Sequence, residues 1–256
     1  MVSMKQLHSR AEWEIELVTA SAVHIGADNK EDEHTQSGAA MSALLDTPDE
    51  KTASFLLPGS SFKGTTRNYL DRLAKIFDTP ILQYLINELY GESEDRKHKG
   101  RIWFGDVYIS KKYEIIKNMT PINRLNQVPL APLTLQAVRP ETPFTLKMTI
   151  ENATVNDYAL IGLLLRAFNE QSLYIGAGSS RGLGRMQLKG CKTLIHQYGR
   201  QFVTEDNIEM PIEAFEKERK LLTTTYKRYG QGEGCYTWLQ FAANQLAENL
   251  AKGELH

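Results

Sequence analysis

Cysteine is almost absent from this chain. Cys191 and Cys235 are the two present in 256 residues, with no Cys-x-x-Cys and no Cys/His cluster beside them. Neither a disulfide framework nor a structural zinc site is indicated, and a reducing cytoplasm fits such usage. Net charge is missing as well. With 30 Lys and Arg against 31 Asp and Glu the formal total is −1, so any hold on nucleic acid has to come from local clusters of cations. No apolar run approaches the ~20 residues that a membrane helix needs, and the N-terminal stretch lacks the charged-then-apolar pattern of a signal peptide. A soluble, cytoplasmic chain is the expectation. What is present is ordinary: 41% hydrophobic and 24% charged residues suit one sizeable core with insertions.

Along the chain, Trp13-Glu-Ile-Glu-Leu-Val-Thr-Ala20 alternates apolar and polar residues and reads as a half-buried strand ending near Ile25-Gly26. Residues 27–52 are polar and acidic, carrying Asp28, Asp32 and Asp46 among others, and loops of that length in a compact domain are usually functional or disordered. A helix is expected over 62–77, with Ser60 or Ser61 as its N-cap and Phe62, Tyr69, Leu70, Leu73 and Phe77 as its apolar stripe. A second helix spans 81–90 and ends at Gly91. Strands follow at 101–109 and 144–150, separated by a proline-bearing excursion over 118–143. An apolar helix over 156–171 and a last strand over 185–195 complete the pattern, and from Glu205 onward the tail reads as amphipathic helix, a packing or partner surface. The order β-α-β-β-α-β is the ferredoxin-like, or RRM-like, arrangement of an α+β domain, with long insertions and a helical C-terminal extension. Residues 1–200 would form that domain and 201–256 the extension. The stacking aromatics of an RRM are missing from 144–150.

Two glycine-rich segments stand out: Leu57-Pro-Gly-Ser-Ser-Phe-Lys-Gly-Thr-Thr-Arg67 and Ile175-Gly-Ala-Gly-Ser-Ser-Arg-Gly-Leu-Gly-Arg185. The first fails as a P-loop, because Thr65 stands where lysine must follow the second glycine. The second fails as a dinucleotide fingerprint, because Arg181 replaces the third glycine and the segment runs from helix to strand. Each still combines close-approach glycines, hydroxyls and cations, the equipment for gripping phosphates through backbone N–H groups and charge-assisted bonds. Two such grips in one domain point to a polynucleotide. The plainer alternatives are ordinary turns, an exposed helix face for Lys63 and Arg67, and a carboxylate partner for Arg181.

Leu57-Pro-Gly-Ser-Ser-Phe-Lys-Gly64 resembles the Ile-Pro-Gly-Ser-Ser-Leu-Lys-Gly signature of the RAMP superfamily of CRISPR-associated proteins. Leu89-Tyr-Gly91 followed by Gly100-Arg-Ile-Trp-Phe-Gly-Asp106 is similar to that superfamily's next segment, and Gly178-Ser-Ser-Arg-Gly-Leu-Gly-Arg185 matches its glycine-rich loop. Order and spacing agree over roughly residues 10 to 195. Within the superfamily, the single ferredoxin-like copy and the segment from Asn123 to Phe144 look like the backbone subunits of type III effector complexes.

That resemblance implies a subunit that binds CRISPR guide RNA and target RNA alongside other subunits, including copies or homologues of itself, and leaves sequence recognition to base pairing. Residues 118–143 would be a thumb wedged into the guide–target duplex, with Arg124 and Leu135 as candidates. Backbone subunits of this kind often cleave the target through an aspartate in the loop before the Pro-Gly-Ser-Ser motif, with Mg²⁺ or another divalent cation. The matching residue is Asp46, in Ala43-Leu-Leu-Asp-Thr-Pro48, with Asp28 and Asp32 in reserve and a simple turn before Pro48 as the structural alternative. Ser60, Ser61, Lys63 and Arg67 would hold guide phosphates from the first segment, and Ser179, Ser180 and Arg181 from the second. His24 is read as a satisfied histidine at a strand end, with an acid/base or RNA-contact role as the alternative. Two further readings stay open: a catalytically silent guide-binding subunit, and a metal-independent guide-processing endoribonuclease.

Overall fold

A computed structural model describes residues 7–24, 54–77, 80–92, 99–120, 125, 128–129, 133–198, 215–220 and 223–252. Its central element is β1 (Ser9–Thr19), where Ala11, Trp13, Ile15 and Leu17 are buried on one face and Glu12, Glu14 and Glu16 lie on the other. This is the period-two alternation of a strand with one covered face. The chain continues through β2 (Ser54–Leu57), α1 (Gly59–Phe77), α2 (Pro80–Tyr90), β3 (Ile102–Phe104) and β4 (Val107–Ser110). Next come β5 (Glu114–Met119), β6 (Leu133–Val138), β7 (Pro143–Glu151), α3 (Val155–Asn169) and β8 (Met186–Tyr198). The last elements are β9 (Glu216–Lys220), β10 (Thr223–Gln231) and α4 (Gln240–Lys252).

Six strands form one sheet in the order β3-β7-β1-β8-β10-β9, and all their pairings are antiparallel. Its β3-β7-β1-β8 portion, with α1 and α3 as the connecting helices, is the ferredoxin-like β-α-β-β-α-β unit expected from the sequence. Helix α3 is almost wholly apolar, with Tyr158, Ile161, Leu164, Leu165 and Phe168 buried against the sheet. Thr154 and Asp157 close its start in a reciprocal capping box. The open face of the sheet carries carboxylates: Glu14 meets Lys192 at 3.1 Å and Lys147 at 4.0 Å. A row of Glu12, Glu14 and Glu16 is the opposite of an RRM stacking platform.

Three stretches depart from the sequence reading. The single strand expected over 101–109 is two, β3 and β4, broken at Gly105-Asp106. There the Gly105 N–H donates to the Lys147 carbonyl at 2.8 Å, and β4 leaves the sheet to pair with β2 in a ribbon of its own. The Ser60 or Ser61 cap is displaced as well, since α1 already begins at Gly59. In the tail, residues 216–220 and 223–231 are strands rather than helix, whereas α4 is helical as expected. The run Thr223-Thr-Thr-Tyr226 is β-branched and aromatic, and the 13-residue β8 offers it a free edge over nine paired positions. That edge outweighs the helical reading of the tail over 216–220 and 223–231.

The tail's apolar side chains face this chain's own core. Trp238, Leu239, Ala242 and Leu246 are buried in the same cluster as Trp13 and α3. Trp238 packs on Tyr158 with ring centroids 6.1 Å apart and on Phe215 at 5.0 Å edge-on. Each buried leucine among them contributes about 1.5 to 3 kcal/mol through burial.

Candidate nucleic-acid interface

Both glycine-rich segments gather at the end of the sheet where β1 finishes and β7 and β8 begin. Phe62, in the first turn of α1, packs against Phe144 with centroids 6.2 Å apart, and Phe144 pairs with Leu17 near the end of β1. Gly59 lies so close to the β3–β4 break that an added Cβ would meet the Phe104 carbonyl oxygen. Its N–H donates to the Asp106 carboxylate at 2.7 Å. The sequence offers Asp106 as part of a motif without showing this partner, which a break 47 residues downstream supplies. The positive end of α1 is thus partly neutralised by a carboxylate of the same chain.

The cations of α1 have internal partners too. Lys63 Nζ donates to the Ile102 carbonyl at 3.3 Å, and burial, with Arg67 nearby, pulls its pKa below the usual lysine range. Arg67 is committed to the end of α2. It donates to the Gly91 carbonyl at 2.6 Å and to Asn87 Oδ1 at 2.9 Å, and Nε lies 3.7 Å from Asp71. A guanidinium placed just past the C-terminus of a helix is a favourable pairing with its negative end. Arg67 therefore locks α1 onto α2. Ser60 is exposed and Ser61 half-buried in the first turn.

The second segment is more open. Ser179, Ser180 and Arg181 form one short 3₁₀ turn between left-handed Gly178 and Gly182, and all three side chains are exposed. Leu183 is buried and anchors the loop. Gly184, at φ 87, passes so close to Ile175 that an added Cβ would meet its carbonyl oxygen. The result is a rigid frame holding a small polar tip outward.

That loop runs along the segment leading out of β1. The Gly184 N–H donates to the Ala22 carbonyl and the Ala177 N–H to the His24 carbonyl, both at 2.8 Å. On the other side, Val23 and Val138 exchange backbone bonds at 2.8 and 3.0 Å, and His24 Nδ1 bonds the Gln136 carbonyl at 2.8 Å. His24 is 7% exposed, so it is a satisfied strand-end histidine linking three segments. Ala22, Leu135, Ala137 and Leu183 form a small separate core under this junction, with Ile115 packed against it. Leu135 is thereby placed within the β5–β6 ladder, opposite Lys117, with its side chain buried in that small core.

The described chain reaches His24 at this junction and resumes in β2, paired with β4. Asp28, Asp32 and Asp46 lie outside the described residues, as does Arg124. Among the described residues no group of three or more His, Cys, Asp or Glu is arranged to hold a metal ion. No helix among them is long and apolar enough to cross a membrane.

A family model described as the RAMP superfamily matches residues 16–187. No curated protein matches the chain. Among solved structures, the chain is similar to one from the cryo-EM structure of the type III-B Cmr-beta bound to cognate target RNA. The identity is 16% and the TM-score 0.52, over 72% of this chain and 61% of that one.

Proposed function

The chain belongs to the RAMP superfamily, and from that premise we propose that it is a subunit of a type III CRISPR effector complex that holds guide RNA by its backbone and cleaves complementary target RNA. One observation carries the reading. The exposed Ser179–Arg181 tip belongs to a loop that pairs with Ala22 and His24, and the same stretch pairs with the β5–β6 hairpin through Val23–Val138, at one end of the sheet. A polar loop tip and a hairpin adjoin there, and in sequence the acidic stretch of residues 27–52 follows His24 closely. The similar solved chain comes from a structure bound to target RNA.

In this reading Ser179, Ser180 and Arg181 hold guide phosphates from the second loop, and Ser60, Ser61 and Lys63 approach from the start of α1. Arg67 acts indirectly, by fixing α1 on α2. Contacts to phosphates set register and leave sequence to base pairing. Asp46 supplies the carboxylate for cleavage, with Asp28 and Asp32 as reserves. Mg²⁺ or another divalent cation held there would stabilise charge at the scissile phosphate.

The test is cleavage of a labelled RNA complementary to the bound guide, comparing complexes carrying the wild-type chain and Asp46→Ala, with and without Mg²⁺. Metal-dependent cuts that disappear in the variant while target binding is unchanged are expected. Cuts indifferent to Asp46→Ala, Asp28→Ala and Asp32→Ala would leave a catalytically silent guide-binding subunit, and metal-independent cutting of precursor RNA would favour a processing enzyme.

A further inference from the structure

Two cation–aromatic clusters flank the end of β1, one of them outside both glycine-rich segments and the other built on Arg185, the last residue of the second segment. On one side the half-buried Tyr113 ring carries Lys112 Nζ 4.8 Å and Arg139 Cζ 4.9 Å from its centroid. On the other, Arg185 Cζ lies 5.4 Å from the centroid of Tyr174, and Nε donates to the Tyr174 hydroxyl at 3.2 Å. The backbone ties the two sides together. The Arg139 carbonyl accepts from Thr19 Oγ1 and the Arg185 carbonyl from the Ala20 N–H, each at 2.8 Å. Consecutive residues of one strand end thus hold both arginines, about two strand spacings, or roughly 10 Å, apart.

All three cations are exposed, and among the described residues no carboxylate forms an ion pair with any of them. The contrast with the open sheet face is direct, since Lys147 and Lys192 there both meet Glu14. Two like charges over a single ring repel each other, and the tyrosine face offsets part of that cost. A ring beneath a guanidinium also fixes its plane, so the N–H groups turned outward are pre-oriented for phosphate oxygens.

We propose that Lys112, Arg139 and Arg185 form a further phosphate-binding track that carries the backbone of an RNA strand across the end of β1. This rests on the reading above that RNA is the ligand. The track continues from the Ser179–Arg181 tip along the same loop to Arg185, and from the hairpin through Arg139, which follows β6 directly. An RNA held by the tip would meet it without a bend in the protein.

The experiment titrates the full chain with a labelled uridine homopolymer RNA across a series of salt concentrations, reading binding by fluorescence anisotropy. Arg139→Gln and Arg185→Gln keep much of the stacking length and remove the charge. Each is expected to reduce the slope of log K against log salt by about 1, and together by about 2, with affinity lowered on the order of tenfold or more. Arg185→Lys should restore the slope. Arg166→Gln serves as control, because that guanidinium pairs with Glu170 at 2.7 Å on the surface of α3 and should leave slope and affinity unchanged. Wild-type chain that binds the RNA, with the double variant matching its affinity and slope, would overturn this inference alone. Wild-type chain that binds no RNA would overturn the proposed function and this inference with it.

Discussion

Asp106 shows how one side chain can answer for a whole motif. Its carboxylate satisfies the Gly59 N–H, one of the donors left without a partner at a helix start, while Gly59 makes room for the Phe104 carbonyl. Gly59→Ala is expected to lower stability by about 1 to 3 kcal/mol, as overpacking does, and Asp106→Ala by about 1 kcal/mol as a lost cap, with Asp106→Asn recovering part. Urea unfolding of the three variants measures this, and an unchanged midpoint for Gly59→Ala would refute the close approach. Buried weak acids make a second prediction. Burial pushes the Cys191 thiol up to about 12 and the Cys235 thiol up to about 11, and raises the Tyr90 and Tyr158 hydroxyls above the ordinary tyrosine range. Above about pH 9 the unfolded thiols ionise while the folded ones keep their protons, so the unfolded state is favoured. Thermal midpoints should therefore fall from about pH 9 upward, until the folded thiols ionise in turn. Lys63, with its pKa lowered by burial, works in the opposite direction. A flat alkaline profile would contradict the burial of these groups.

Among the elements, β3 is the most dependent on one residue. Arg101 precedes it and donates to both oxygens of Asp157 at 2.7 and 2.9 Å and to the Asn152 carbonyl at 2.8 Å, so the edge strand is tied to the start of α3. Both partners are buried, with side chains 5% and 3% exposed. Removing one strands the other in a dry site, and Arg101→Met should cost about 3 to 5 kcal/mol. Replacing both, Arg101→Met with Asp157→Leu, should cost less if the Coulomb pair itself dominates. The Asp157 cap on α3 is then also lost, which sets a floor of about 1 kcal/mol. Denaturant midpoints of the two variants separate these terms. Much at this scale is legible in the chain: β1, α1, α2, β7, α3, β8 and α4 follow from periodicity and stop signals. The break at Gly105-Asp106 is not, because neither residue forbids a strand and the partners that make the break favourable are Gly59 and Lys147, distant in sequence.

The molecule as a whole depends on its tail. Strand β10 pairs with β8, and Trp238, Leu239, Ala242 and Leu246 close the side of the core that Tyr158 and α3 present. Deleting 216–256 exposes that side and leaves β8 as a bare edge, so the shortened chain is expected to lose its cooperative thermal transition and to aggregate. Trp238→Ala alone should cost about 3 to 5 kcal/mol. A truncated chain that melts cooperatively at the wild-type temperature would show that the tail is dispensable. Local sequence is enough to set the alternation of β1, the capping box of α3 and the two glycine segments, because each depends on residues within a turn or a strand of one another, and the order of such segments along the chain carries the family resemblance. Only tertiary structure decides that Asp106 caps α1, that Arg67 turns inward to Gly91, that Thr223–Gln231 extends the sheet, and that Arg139 and Arg185 stand on either side of β1. Those outcomes come from partners tens to more than a hundred residues apart, and a short stretch of sequence carries no record of the groups it will meet.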